Sequence, residues 1–264
     1  MSTDILVTGR RKQTASGVTM TRGFTVLPEN NSADSVAYDY DQPQNPADGE
    51  VAVKVNVSLT NSANQAKAID AANNIAEAVA TIIAAASKLP ASTVIPLPNG
   101  TRITAGDLLT QIKGTKFVVT DIQQSNDGVG SADRSTMTDT LYFASFAEGT
   151  GAKAYTQSGY LGYGVIGIIL HEVVHMSVAG YQNFQNSSLY FNRENAELKI
   201  KNAPFYGSDY SKANEMFAHV GSISAGNILG FDLSAYNDGM TKGVFKDLSY
   251  RSPLQVYNER KAER

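Results

Sequence analysis

Residues 165–178 read Val-Ile-Gly-Ile-Ile-Leu-His-Glu-Val-Val-His-Met-Ser-Val, and this stretch restricts the fold more than any other. A helix over 164–179 would be apolar nearly all round, so it must lie inside the protein rather than on its surface. Its polar residues are His171, Glu172 and His175, with Ser177 able to bond its own backbone. Residues four apart share a helix face, so His171 and His175 point the same way and two imidazoles can grip one metal ion. Glu172 sits about 100° around the helix, beside that face. A buried carboxylate between two imidazoles is costly unless a cation organises it.

A Lewis acid with an open coordination position and an adjacent carboxylate base is what zinc-dependent hydrolysis requires. The His-Glu-x-x-His spacing at 171–175 therefore predicts Zn2+ held by His171 and His175, with Glu172 as catalytic base. The metzincin extension would need Gly at 178 and His at 181. The chain has Val178 and Tyr181, which excludes that family.

The third ligand must come from elsewhere. The chain has three histidines and no cysteine, so thiolate sites, disulfides and cysteine nucleophiles are all excluded. A helix is expected over 210–229, with Asp209 or Ser211 as N-cap. On it Glu215 and His219 share one side, while Met216, Phe217, Val220 and Ile223 share another. The segment Asn214-Glu215-Met216-Phe217-Ala218 resembles the Asn-Glu-x-Phe-Ala segment of aminopeptidase N-type gluzincins. It is also similar to the Asn-Glu-x-x-x-Asp segment of thermolysin-type enzymes. The resemblance covers residues 171–175 and 213–219. It implies a zincin-type metallopeptidase with Glu215 as third zinc ligand. His219 then stands where thermolysin-type enzymes place an Asp that orients a ligating imidazole. The interval from His175 to Glu215 is longer than either family uses.

Two roles remain open for His219, second-shell partner or alternative ligand. With His171, His175, Glu215 and His219 all bound the metal would have no open position, which describes a structural zinc. A zinc-stabilised structural or binding protein is thus the alternative to a peptidase. A toxin-like peptidase with a single protein target is a third reading. Tyr206, Tyr210 and Tyr163 are the candidate donors to a developing oxyanion. Glu194 and Glu197 alternate with basic residues and read as a solvated face.

The fold expected is α+β and zincin-like: a small mixed sheet with an edge strand, the active-site helix, and a mostly helical C-terminal half. Strands are read at 50–59, 93–103, 115–123 and 140–146, with 140–146 as the edge strand along the cleft. Helices are read at 62–88, 105–113, 188–202 and 210–229. Residues 1–49 are polar; β-like pieces are read at 4–8 and 18–27, and 29–49 as loop or linker. This divides the chain into an N-terminal arm, 1–49, and a metallopeptidase domain, 50–264. The Asp127–Asp133 loop lacks the ligand spacing of an EF-hand and reads as a solvated turn.

A net charge of −3 with 18% charged residues gives no basic footprint for nucleic acid. A peptide or protein substrate is the expected partner. No run reaches the ~18 consecutive apolar residues of a membrane span. Residues 1–12 lack the apolar core of a signal peptide, so the expected location is cytoplasmic, or outside by a route that reads no such peptide.

Overall fold

The computed structural model describes residues 53–123, 129–147, 161–198, 208–243 and 249–264, together with the backbone of three strands nearer the N-terminus. Those strands are β1 (Thr8–Lys12), β2 (Thr19–Val26) and β3 (Asp34–Asp39). They run as an antiparallel meander into β4 (Lys54–Leu59), with Val36 opposite Val57. β3 thus falls inside residues 29–49, which the sequence reading gave as loop or linker. The sheet continues through β7 (Lys116–Thr120) and β9 (Thr138–Tyr142), both parallel to β4. It ends at β8 (Gly130–Asp133), antiparallel to β9. The order across the sheet is β1-β2-β3-β4-β7-β9-β8. Among the described residues the architecture is mixed α and β, with seven α-helices.

Three expectations change here. The edge strand on the helical side is β8, not 140–146; β9 lies inside the sheet, and residues Phe143–Ser145 turn into a short 3-10 helix. The Asp127–Asp133 loop, read as a solvated turn, contains β8. Residues 93–103 form β5 (Val94–Pro96) and β6 (Arg102–Thr104), a separate two-stranded ribbon rather than part of the main sheet. The β8–β9 turn is set by Asp133, whose carboxylate accepts from Ser135 N at 2.8 Å and from the Ser135 and Thr136 hydroxyls. This is the side-chain turn chemistry expected of Asp.

Parallel β4 and β7 require a crossover, and α1 (Gln65–Ser87) supplies most of it. Its alanines let it lie close to the sheet, with Ile75, Val79, Ile82 and Ile83 in the core. The helix passes the length and hydropathy of a membrane span, but two-thirds of that window is buried inside the protein. Asp121, just past β7, holds the start of this crossover: its carboxylate accepts from Thr60 N at 2.8 Å, Asn61 N at 2.9 Å and Asn64 Nδ2 at 3.1 Å. After the ribbon comes α2 (Ala105–Gly114), closed at its N-terminus by a reciprocal Thr104–Asp107 capping box.

The motif lies on α3 (Leu161–Met176), whose Val165, Ile169, Leu170, Val173 and Val174 are all at or below 1% exposure. α3 stops at Ser177, whose hydroxyl donates to Val174 O at 2.6 Å and accepts from Gly180 N at 3.0 Å. One side chain ends α3 and caps α4 (Val178–Leu198), and the two helices bend by 67°. Arg134, from the β8–β9 turn, donates to Met176 O at this joint, where the helix terminus leaves carbonyls without helical partners. α5 (Ser208–Leu229) lies against both α3 and α4.

The polar tail holds two further helices that its composition conceals, α6 (Ser234–Gly243) and α7 (Pro253–Ala262). α7 docks on α4 through Glu194, which is buried and paired with Arg260 Nε at 2.9 Å and with Arg264. Glu194 is therefore a structural anchor and not a solvated residue. Glu197 accepts from the Tyr257 hydroxyl at 2.6 Å on the exposed side.

Candidate metal centre

Three ligand-type side chains converge as a triangle between α3 and α5. His171 Nε2 lies 3.1 Å from His175 Nε2 and 3.1 Å from Glu215 Oε2, and His175 Nε2 lies 3.4 Å from Glu215 Oε1. Four-coordinate zinc with bonds of about 2.0–2.1 Å places its ligand atoms about 3.3 Å apart, since that is the tetrahedral edge. The distances of His171 Nε2 from His175 Nε2 and from Glu215 Oε2 are close to that edge, and the 3.4 Å contact uses the other Glu215 oxygen. Among the described residues, these three are the one group of His, Asp or Glu side chains placed so that they could hold a metal ion.

Electrostatics also fit a cation. Burial opposes ionisation of Glu215, yet the imidazoles of His175 and His171 hold its pKa well below the usual carboxylate range. Burial lowers the pKa of His171. For His175 burial works in the same direction but is outweighed by the Glu215 and Glu172 carboxylates, and its pKa rises. A proton on each Nε2 would set the two N–H groups against one another at 3.1 Å, and one proton cannot bond all three pairs, so a shared cation would satisfy the set.

Glu172 is buried and stands beside the triangle, lining the same cleft as His175 and Glu215. Burial, then the neighbouring Asp139 carboxyl, pushes its pKa well above the ordinary value. Asp139, on β9, is wholly buried and neither of its carboxyl oxygens has a hydrogen-bond partner. Burial pushes its pKa up as well. Two carboxyls confined together disfavour double ionisation. β8 approaches this pair closely at Gly130, where a Cβ would fall 2.9 Å from Glu172 Oε1 and 3.0 Å from Leu141 Cδ2. Any larger residue there must displace the Glu172 carboxyl.

The cleft, about 480 Å³, is lined by His175 and Glu215 of the triangle and by Glu172. β8 and the turn after it form one wall, and α5 contributes Ser211, Asn214 and Glu215. Tyr181 and Phe184 of α4, stacked at 6.2 Å between ring centroids, form the far end. Asn183 Nδ2 donates to Asn214 Oδ1 at 3.3 Å, tying α4 to α5 beside Glu215.

His219 does not join the triangle. Its Nε2 meets Asn237 Oδ1 at 3.0 Å and its Nδ1 faces the Tyr236 hydroxyl at 3.5 Å. That hydroxyl also meets His171 Nδ1 at 3.1 Å. The closed four-ligand arrangement is therefore not formed, and the Tyr236 hydroxyl bridges His219 and His171. Tyr210 is not in the cleft; it is wholly buried in a second cluster with Phe191, Ala213 and Val256. Tyr206, and the side chain of Tyr163, lie outside the described residues.

Sequence reasoning did not find Tyr236, Asp139 or Gly130. Tyr236 is one tyrosine among thirteen in a tail that reads as polar. Asp139 carried one usable signal: it shares strand parity with Leu141, so both face the core. Comparison of the chain with family models, with curated proteins and with solved structures gave no match.

Proposed function

We propose that the protein is a zinc-dependent peptidase, with His171, His175 and Glu215 as metal ligands and Glu172 as general base. The observation that carries this reading is the convergence of His171, His175 and Glu215 side chains beside a cleft that His175, Glu215 and Glu172 line. Zinc in that position would supply a Lewis acid that polarises a peptide carbonyl and acidifies water. Glu172 would take the proton from the attacking water and return it to the leaving amine. β8, antiparallel to its neighbour and lining the cleft, would pair with an extended substrate by main-chain hydrogen bonds. An edge strand beside the motif helix, with a third ligand from a separate helix, is a zincin-like plan, and the Asn-Glu-x-Phe-Ala resemblance at 214–218 points to the gluzincin branch. The alternative of a structural zinc is weakened because His219 is engaged by Asn237 and Tyr236 rather than by the triangle.

The reading is tested with a mixed peptide library and a set of unfolded proteins as substrates. Cleavage by the purified protein should be lost on treatment with a zinc chelator and return on adding zinc back. A zinc-loaded protein that cleaves none of these substrates would contradict it.

Gly130→Ala offers a narrower check. Because the new Cβ displaces the Glu172 carboxyl, kcat/KM should fall about 10–100-fold, the scale of a misplacement near 1 Å. Zinc content should stay at the wild-type level, since Gly130 touches no ligand. Unchanged kcat/KM would show that the Glu172 position is not critical.

A further inference from the structure

The ring nitrogens of His171 and His219 both face one phenolic oxygen, and the hydrogen bonds around it can be directed. His219 is buried, and burial together with nearby His171 pushes its pKa down to about 4, so its imidazole is neutral. A neutral imidazole has one donor and one acceptor nitrogen. Nε2 faces Asn237 Oδ1 at 3.0 Å and must donate, which leaves a lone pair on Nδ1. The Tyr236 proton is then directed at His219 Nδ1, 3.5 Å away. Ser222 Oγ, also near the phenolic oxygen at 3.4 Å, donates to the closer His219 carbonyl at 2.7 Å. With its proton so directed, the Tyr236 oxygen can accept, and His171 Nδ1, 3.1 Å away, is placed to donate to it.

We propose that Tyr236, backed by His219 and Asn237, is the positioning residue that sets His171 in its Nδ1–H tautomer and turns the bare Nε2 towards the metal. This rests on the proposed zinc site. It gives His219 a role two bonds removed from the metal, and it makes α6 part of the centre. The backbone is shaped to allow it. Tyr236 is fully buried, and a Cβ on Gly167 would overlap its ring. Gly167 lies one helical turn before His171, so the missing side chain lets the phenol lie flat on α3 with its hydroxyl under the imidazole. An outer partner on a ligating histidine both fixes the ring and raises its basicity.

The test compares full-length wild type, Tyr236→Phe and Gly167→Ala. Tyr236→Phe keeps the ring against Gly167 and removes only the hydroxyl; Gly167→Ala keeps the hydroxyl and moves the ring. Zinc affinity is read by competition with a chelating dye. The His171 ring proton and the His219 tautomer are read by nitrogen-resolved NMR of the zinc-loaded protein. Wild type should show a slowly exchanging His171 Nδ1–H and a neutral His219 protonated at Nε2. Both variants should fold, bind zinc about 10–100-fold more weakly and lose protection of that proton. Wild-type zinc affinity in Tyr236→Phe, or His219 protonated at Nδ1 in the wild type, would overturn the relay while leaving the peptidase reading intact. A wild type that takes up no zinc would overturn both.

Discussion

Glu172→Gln should lower peptide hydrolysis by about 10²–10⁴-fold, the usual consequence of losing a general base, while zinc content stays at the wild-type level. Glutamine keeps the size of the side chain but cannot accept the proton. The substitution also removes one of two acids crowded into the core with Asp139, so the melting temperature should hold or rise slightly. This combination separates a catalytic carboxylate from a structural one. Were Glu172 a structural partner only, the variant would lose stability and there would be no hydrolysis to lose. Rates measured on the same peptides for both proteins, with metal content and melting curves in parallel, decide the matter. A variant that cleaves as fast as wild type would rule out Glu172 as the base.

The second large effect is expected at Glu215. It supplies the only carboxylate in the triangle, at 3.1 and 3.4 Å from the two imidazoles, and its charge holds the pKa of His175 up. Glu215→Ala leaves two histidines, too few for a site that binds tightly. Zinc affinity should fall by at least 10²-fold, beyond the 10–100-fold typical of a residue that only supports a ligand. The control is Glu197→Ala, whose carboxylate bonds the Tyr257 hydroxyl away from the cleft; it should bind zinc as wild type does. His219→Ala should fall between, because His219 acts through Tyr236. If Glu215→Ala keeps full affinity and His219→Ala loses it, the centre is a three-histidine site and the gluzincin resemblance is misleading.

What could be read in advance follows from the range of the interactions involved. The pairing of His171 with His175 is a local property of helical geometry, and the apolar run around them predicts a buried helix without any tertiary information. Glu215 came from a short motif on a second helix, and the structure brings its carboxylate to the imidazoles across α3 and α5. Other features depend on contacts that a local pattern does not encode. β8 is Gly-Ser-Ala-Asp, with no β-branched or aromatic residue, and forms a strand because β9 and α3 flank it. Glu194 sits among polar residues on α4, and it is buried because Arg260 and Arg264 of α7 fold onto it. Tyr236 becomes part of the centre because Gly167 leaves room for its ring. For Glu194 and Tyr236 the deciding partner is remote in the chain.

The proposed centre holds one zinc ion among His171, His175 and Glu215. Its most direct test is a crystal of the zinc-loaded protein with diffraction recorded on both sides of the zinc absorption edge. A single strong anomalous peak per chain is expected, bonded to Nε2 of both histidines and to a Glu215 carboxylate oxygen at about 2.0–2.2 Å, with His219 outside bonding range. No peak at this position, or a peak with His219 as a fourth protein ligand, would contradict it.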